Sequence, residues 1–100
     1  MMILKDILYK VAIEAVHGST DIAVGKIEFD SRKLELNDVF VAIRGSLSNG
    51  HDFISIAISL GAKTIVCDVF PETLEKEVTY VKVADTNAAL ACMAANYFGN

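Results

Sequence analysis

The sequence predicts an α/β domain, a small three-layer fold in which a mixed or mostly parallel sheet of about four strands is flanked by helices. Three observations carry that expectation. Helical and strand periodicities alternate along the chain. The segment 39–43 is a near-continuous apolar run of the kind buried on both faces of a sheet, and 64–67 is a second β-branched run. Between them lies a helical stripe, so strand, helix and strand form a short right-handed crossover with parallel strands.

Each element follows from its own residues. Ile3, Ile7, Leu8 and Val11 recur at helical spacing around Lys5, Asp6 and Lys10, which predicts an amphipathic helix over 3–12, broken by Gly18 to Thr20. Residues 26–30 and 39–43 read as short strands. Asn37-Asp38 supplies the turn before the second, because Asn tolerates positive φ and Asp bonds nearby backbone donors. From Asp52, a candidate N-cap, Phe53, Ile56, Ala57 and Leu60 form a helical stripe, and Gly61 sits where a left-handed C-terminal cap belongs. After the strand at 64–67 come an acidic loop with Pro71 and a strand over 78–83. Asp85 or Thr86 can cap a last helix over 87–98, with Leu90, Met93, Ala94 and Tyr97 along one face and Gly99 ending it.

Composition bounds what such a domain can do. With 53% hydrophobic and 22% charged residues, 100 residues suit one globular domain that buries roughly 65% of its unfolded surface. A net charge of −4 gives no general attraction to nucleic acid or anionic lipid, so an anion site has to be a local pocket. No apolar run approaches the ~18 residues of a membrane span, and the N-terminus carries no secretory pattern, which together predict a cytoplasmic chain without a membrane partner. Cys67 and Cys92 lack metal or redox spacing and read as buried free thiols.

Two polar corners stand out. Asp30-Ser31-Arg32 sets a hydroxyl beside a guanidinium, and Arg44-Gly45-Ser46 leads into Ser48-Asn49-Gly50; both concentrate donors of the kind that grip a diphosphate. Ser31 can donate to a phosphate oxygen, and Gly45 lets backbone amides approach an anion without Cβ interference. Simpler readings compete. Asp30 can cap a turn with Arg32 paired to it or to Glu28, and 44–49 can be a solvated hairpin or crossover connection. His51 fits a loop hydrogen bond as well as a ligand contact. His17 has no partner at metal-ligand spacing and reads as a surface residue. Glu72, Glu75 and Glu77 read as a solvated face, and Tyr97 and Phe98 as core or a domain seam. No Ser/His/Asp or Cys/His spacing argues for nucleophilic catalysis.

Taken in order and spacing, these segments resemble the N-terminal domain of the Mur ligases over essentially the whole chain. The anchors are Asp30-Ser31-Arg32, the run from Asn37 to Gly45, Asn49-Gly50-His51-Asp52-Phe53-Ile54, Gly61-Ala62 and the closing Ala94-Ala95-Asn96-Tyr97-Phe98-Gly99. They are most similar to the branch that adds the third residue of the peptidoglycan stem peptide in bacterial cell-wall synthesis. The resemblance implies a domain that binds the uridine-diphosphate end of UDP-N-acetylmuramoyl-dipeptide. It implies a parent ligase that uses ATP and magnesium to phosphorylate the substrate's terminal carboxylate, after which an amino acid's amine attacks the acyl phosphate.

By family position Phe29, Ser31, Ser46, Leu47 and Ser48 are the implied uridine and diphosphate contacts, with Arg32 and Gly45 beside them. The family's P-loop, phosphate-binding lysine and metal ligands are not in these residues, so the resemblance implies that the chain binds without catalysing. The central ATPase and C-terminal domains are expected outside it. Asn37 stands where the family commonly has Gly, and the tip Ser46-Leu47-Ser48 is a variable part of the pattern. Two other functions remain open at this point: the N-terminal domain of the D-alanyl-D-alanine-adding Mur ligase, and a non-enzymatic interaction module on the same scaffold.

Overall fold

The computed structural model describes residues 2–99. In chain order the elements are β1 (Met2–Ile3), α1 (Leu4–Ile7), β2 (Ile13–His17), β3 (Ala23–Val24), β4 (Ile27–Glu28), β5 (Val39–Val41), α2 (Ile54–Ser59), β6 (Thr64–Cys67), β7 (Thr79–Val83) and α3 (Thr86–Tyr97). Short 3-10 turns, Ser31–Lys33 and Gly50–Phe53, follow β4 and precede α2. The main sheet runs β2-β7-β6-β5-β4, and β1 pairs with β3 in a separate two-stranded ribbon. Strands β4, β5, β6 and β7 are mutually parallel, while β2 lies antiparallel on β7. The mixed, mostly parallel sheet is as expected, with five strands rather than about four.

Strand alternation divides the core into two layers. Val39, Val41, Val66, Val81 and Val83 face α1 and α3, packing on Leu4, Ile7, Ala89 and Met93. Phe40, Ile65, Cys67 and Tyr80 face the other way, against Ile54 and Ala57 of α2. Helices therefore cover both faces, which is why the central strands β5 and β6 are buried along their whole length. Phe40 and Tyr80 are fully buried, and each such side chain contributes roughly 1.5–3 kcal/mol by leaving water. The Tyr80 hydroxyl accepts from the Glu75 backbone N–H at 2.8 Å, pinning the otherwise exposed acidic loop to the core.

The helix predicted over 3–12 is a correction. Only Leu4–Ile7 is helical, Met2 and Ile3 pair with Val24 and Ala23, and Lys10 turns through a positive φ of 66°. Leu4, Ile7 and Leu8 still reach the core, since one helical turn satisfies their spacing. Residues 13–17, unassigned from sequence, form a strand because β7 offers them an edge: Ile13 opposes Val83 and His17 opposes Tyr80. A β-irregularity between Ile13 and Ala15 blurs their alternation. Cys92 is half-buried rather than buried; Cys67 is buried, and both thiols are free. Burial pushes the Cys67 thiol up to about 11. His17 is exposed on β2 beside the Tyr80 ring, and Phe98 is exposed with its ring edge-on to Tyr97.

Candidate functional site

Because β4, β5 and β6 run parallel, the chain leaves all three at the same edge of the sheet. Both polar corners therefore open onto one crevice at the carboxyl ends of the strands, the side on which open α/β sheets bind ligands. The crevice is a cleft of about 520 Å³. One wall is Phe29 to Arg32 after β4, the other is Gly45, Ser48 and Gly50 after β5, and Phe40, Ile43 and Phe53 provide apolar lining.

Three carboxylates shape the first wall. Glu28 Oε1 accepts from the backbone N–H groups of Phe29 and Asp30 at 3.1 and 3.0 Å. Asp30 caps the Ser31–Lys33 turn by accepting from the Arg32 backbone N–H at 3.0 Å. It also holds the Arg32 guanidinium with two bonds of 3.0 and 2.9 Å. That side-chain bond, followed by the backbone one, brings the Asp30 carboxyl down to about 2. Buried Asp38, from the predicted turn, accepts from the backbone N–H groups of Lys26 and Glu35 and from the Lys26 ammonium. It thereby staples the strand before the corner to the strand after it. Burial pulls the Lys26 ammonium down, but the Asp38 bond and charge outweigh it and leave the group raised. Asn37 turns at a φ of 71°, as its side chain permits.

The second wall is a narrow hairpin. Arg44 bridges Asn49, the Gly45 N–H donates to the Ser48 carbonyl at 2.8 Å, and Ser46-Leu47 form the tip. Arg44 is held by Asp68, just past β6, which accepts from its Nε and Nη2 at 2.7 Å each. That guanidinium holds the Asp68 carboxyl below its usual range. Asn49, not Asp52, caps the turn into α2, accepting from the His51 backbone N–H at 3.0 Å. A Cβ on Gly50 would stand 2.5 Å from the Ile43 nitrogen, so glycine is what lets the hairpin base press on β5.

Of the seven site residues predicted, Phe29, Ser31, Arg32, Gly45 and Ser48 meet around the cleft. Ser46 and Leu47 sit at the hairpin tip instead, with Leu47 99% exposed. Arg32 is committed to Asp30, the simpler of its two sequence readings. The hydroxyls of Ser31, Ser46 and Ser48 engage no partner among the described residues, so the donors left for an anion are neutral hydroxyls and the amides of the hairpin tip. Sequence reasoning missed Phe40, Ile43 and Phe53, whose apolar character pointed to the core, and Asp68, whose position after the third strand was the signal available. Among the described residues no three His, Cys, Asp or Glu side chains are grouped to hold a metal ion, and no helix is long and apolar enough to cross a membrane.

Comparison with known proteins identifies the family. A family model described as "Mur ligase family, catalytic domain" matches residues 24–98. The chain belongs to the Mur ligase family. Among curated relatives it is 42% identical over 99% of its length to the UDP-N-acetylmuramoyl-L-alanyl-D-glutamate–2,6-diaminopimelate ligase of Clostridium tetani, covering 21% of that protein. It is 43% identical to the enzyme of the same name from Clostridium perfringens, again over 99% of the chain and 20% of the relative. The chain thus spans about a fifth of the Mur ligases it matches.

Solved Mur ligases share the fold. The MurF ligase of Thermotoga maritima in complex with ADP matches with a TM-score of 0.64 and 29% identity, over 75% of this chain and 17% of that one. The UDP-N-acetylmuramoylalanyl-D-glutamyl-2,6-diaminopimelate–D-alanyl-D-alanyl ligase of Acinetobacter baumannii matches with a TM-score of 0.63 and 27% identity, over 73% and 16%.

Proposed function

We propose that the cleft receives the uridine-diphosphate end of UDP-N-acetylmuramoyl-dipeptide, as the substrate-binding domain of a cytoplasmic ATP-dependent ligase that adds diaminopimelate as the third stem-peptide residue. One observation carries the reading: the two donor-rich corners, distant in sequence, flank one cleft at the C-terminal ends of adjacent parallel strands. In this reading the Ser31 and Ser48 hydroxyls and the tip amides donate to the phosphate oxygens, while Phe29 and Leu47 offer apolar surface to the uracil. Both neighbouring arginines are neutralised by carboxylates, so they brace the walls and the diphosphate is held by neutral donors. The names of the curated relatives support the diaminopimelate branch, at 42–43% identity against 27–29% for the solved D-alanyl-D-alanine-adding and MurF ligases.

The residues of this chain do not fit ATP or magnesium. They include no glycine-rich loop ending in Lys-Ser or Lys-Thr, and the described ones include no metal-binding carboxylate group. In this reading activation of the substrate belongs to a central ATPase domain of the parent, and this chain contributes binding. Titration with UDP, followed by backbone amide shifts, tests the binding role. Shifts at Ser31 and residues 45–48 are expected at about 1 mM ligand, or about −4 kcal/mol. Silence there at millimolar UDP overturns it.

A further inference from the structure

Two independent hydrogen bonds fix the protonation of the His51 ring. The backbone N–H of Asp68 donates to His51 Nε2 at 3.0 Å, so Nε2 carries a lone pair. Asn49 Oδ1 accepts from the His51 backbone N–H, which identifies it as the oxygen of the amide; His51 Nδ1, 2.7 Å from the same atom, must then carry the hydrogen. The ring is neutral, in its Nδ1–H form, and its side chain is only 8% exposed. It joins the end of the hairpin to the end of β6, where Asp68 also grips Arg44 at the hairpin's start.

We infer that His51 is a positioning residue that latches the Arg44–Asn49 hairpin over the cleft while neutral, and that its protonation opens the latch and weakens nucleotide binding. This rests on the reading of the cleft as a nucleotide site. A proton on Nε2 abolishes the acceptor for the Asp68 N–H and leaves two donors facing each other. The imidazolium's nearest alternative is the Asp68 carboxylate, whose Oδ1 lies 3.3 Å from Nε2, but that carboxylate already holds Arg44. Each charge state of His51 thus selects a different set of bonds, the requirement for a two-state element. The charged groups acting on the ring are Asp68 from beyond β6, Arg44 from the hairpin and Asp52 from its own turn. Burial favours the neutral ring most, Asp68 and Asp52 oppose that, Arg44 adds to it, and the net direction is below the ordinary 6.5. Because the folded value is the lower one, the latch is fully present above about pH 6.5 and is lost as pH falls through the depressed value.

The test has a ligand-free arm and a ligand arm. In the full chain without ligand, imidazole nitrogen shifts are followed from about pH 8 to about pH 5. The Nδ1–H form is expected at neutral pH, with the amides of Asp68, Gly45 and Ser48 moving at the midpoint of the His51 ring. An Nε2–H ring, or one that titrates while those amides stay still, overturns the latch. In the second arm the probe is UDP-N-acetylglucosamine, whose diphosphate is a diester and keeps its charge over this range. Its affinity should fall roughly threefold to tenfold across the same midpoint, the value of about one hydrogen bond. His51→Gln, which cannot gain a proton, should bind more weakly and without that pH step. Binding that ignores the His51 midpoint overturns the inference. Absence of nucleotide binding at every pH, with the ligand-free arm positive, overturns the nucleotide reading and the latch's role in it while leaving the two-state hairpin in place.

Discussion

At the Asp30–Arg32 corner every side-chain partner lies within two residues along the chain, whereas the Arg44–Asn49 hairpin is tied by Asp68, 24 residues from Arg44 and 17 from His51. The corner itself is a local turn, with Asp38 stapling the strands on either side of it. The hairpin is shaped only when β6 is in place, because Asp68 leaves the sheet there and reaches back. The two walls therefore differ in what should disturb them: the hairpin responds to changes in packing and in the charge of His51, and the corner to changes in its own three residues and in the carboxylates of Glu28 and Asp38 that brace it.

The largest expected effect probes the packed wall. Gly50→Ala drives a Cβ to 2.5 Å from the Ile43 nitrogen and 3.0 Å from Ala42 backbone atoms, none of which is a flexible side chain. The hairpin base has to lift off β5, at a cost of roughly 2–3 kcal/mol in urea unfolding. Gly45→Ala, on the same hairpin, meets only the Ser48 carbonyl at 3.1 Å and should cost under about 1 kcal/mol. Equal costs for the two would mean that the hairpin moves as one flexible piece, and the contrast between the walls would fail.

Ser31→Ala is the middle case and probes the local wall through its ligand. Its hydroxyl has no partner within the described structure, so stability should hold while UDP affinity falls by about 1 kcal/mol, read by amide-shift titration. A loss of stability instead would make Ser31 part of the turn's own structure.

How far the sequence carried the reading follows the same division. The Asp30 cap, Asn37's positive φ, the Gly61 and Gly99 terminators and the Asp85 cap are contacts or conformations within a few residues, and their residue types announced them. The strand at β2 was illegible because its edge comes from β7, more than sixty residues on, and its own alternation is broken. The helix over 3–12 failed at both ends: pairing with β3 claims Ile3, and the chain turns through a positive φ at Lys10. In the cleft, Ser31 and Ser48 were legible as donors. Asp68 was not, because nothing in Cys67-Asp68-Val69 reveals that its carboxylate fixes an arginine 24 residues earlier. His51 was legible as a loop residue, and only its two ring partners turn it into a switch.

The smallest effect is expected at Arg32, and it decides whether the local wall is self-sufficient. The guanidinium is exposed, and both of its bonds go to Asp30, so an incoming diphosphate would have to compete with a carboxylate already in place. Arg32→Ala should therefore leave UDP affinity close to that of the parent chain. What it removes is the largest cause of the low Asp30 value, and a carboxyl-carbon titration should find Asp30 risen from about 2 toward its ordinary 3.8. The sign follows from linkage: a depressed carboxylate favours the fold above 3.8 and loses that contribution as pH falls through about 2, so the variant's turn should loosen at a higher pH than the parent's. If the affinity loss instead exceeded that of Ser31→Ala, Arg32 would be leaving Asp30 to meet the phosphates. The corner would then be an induced site rather than a preformed one, with Asp30 the residue that keeps it closed until ligand arrives.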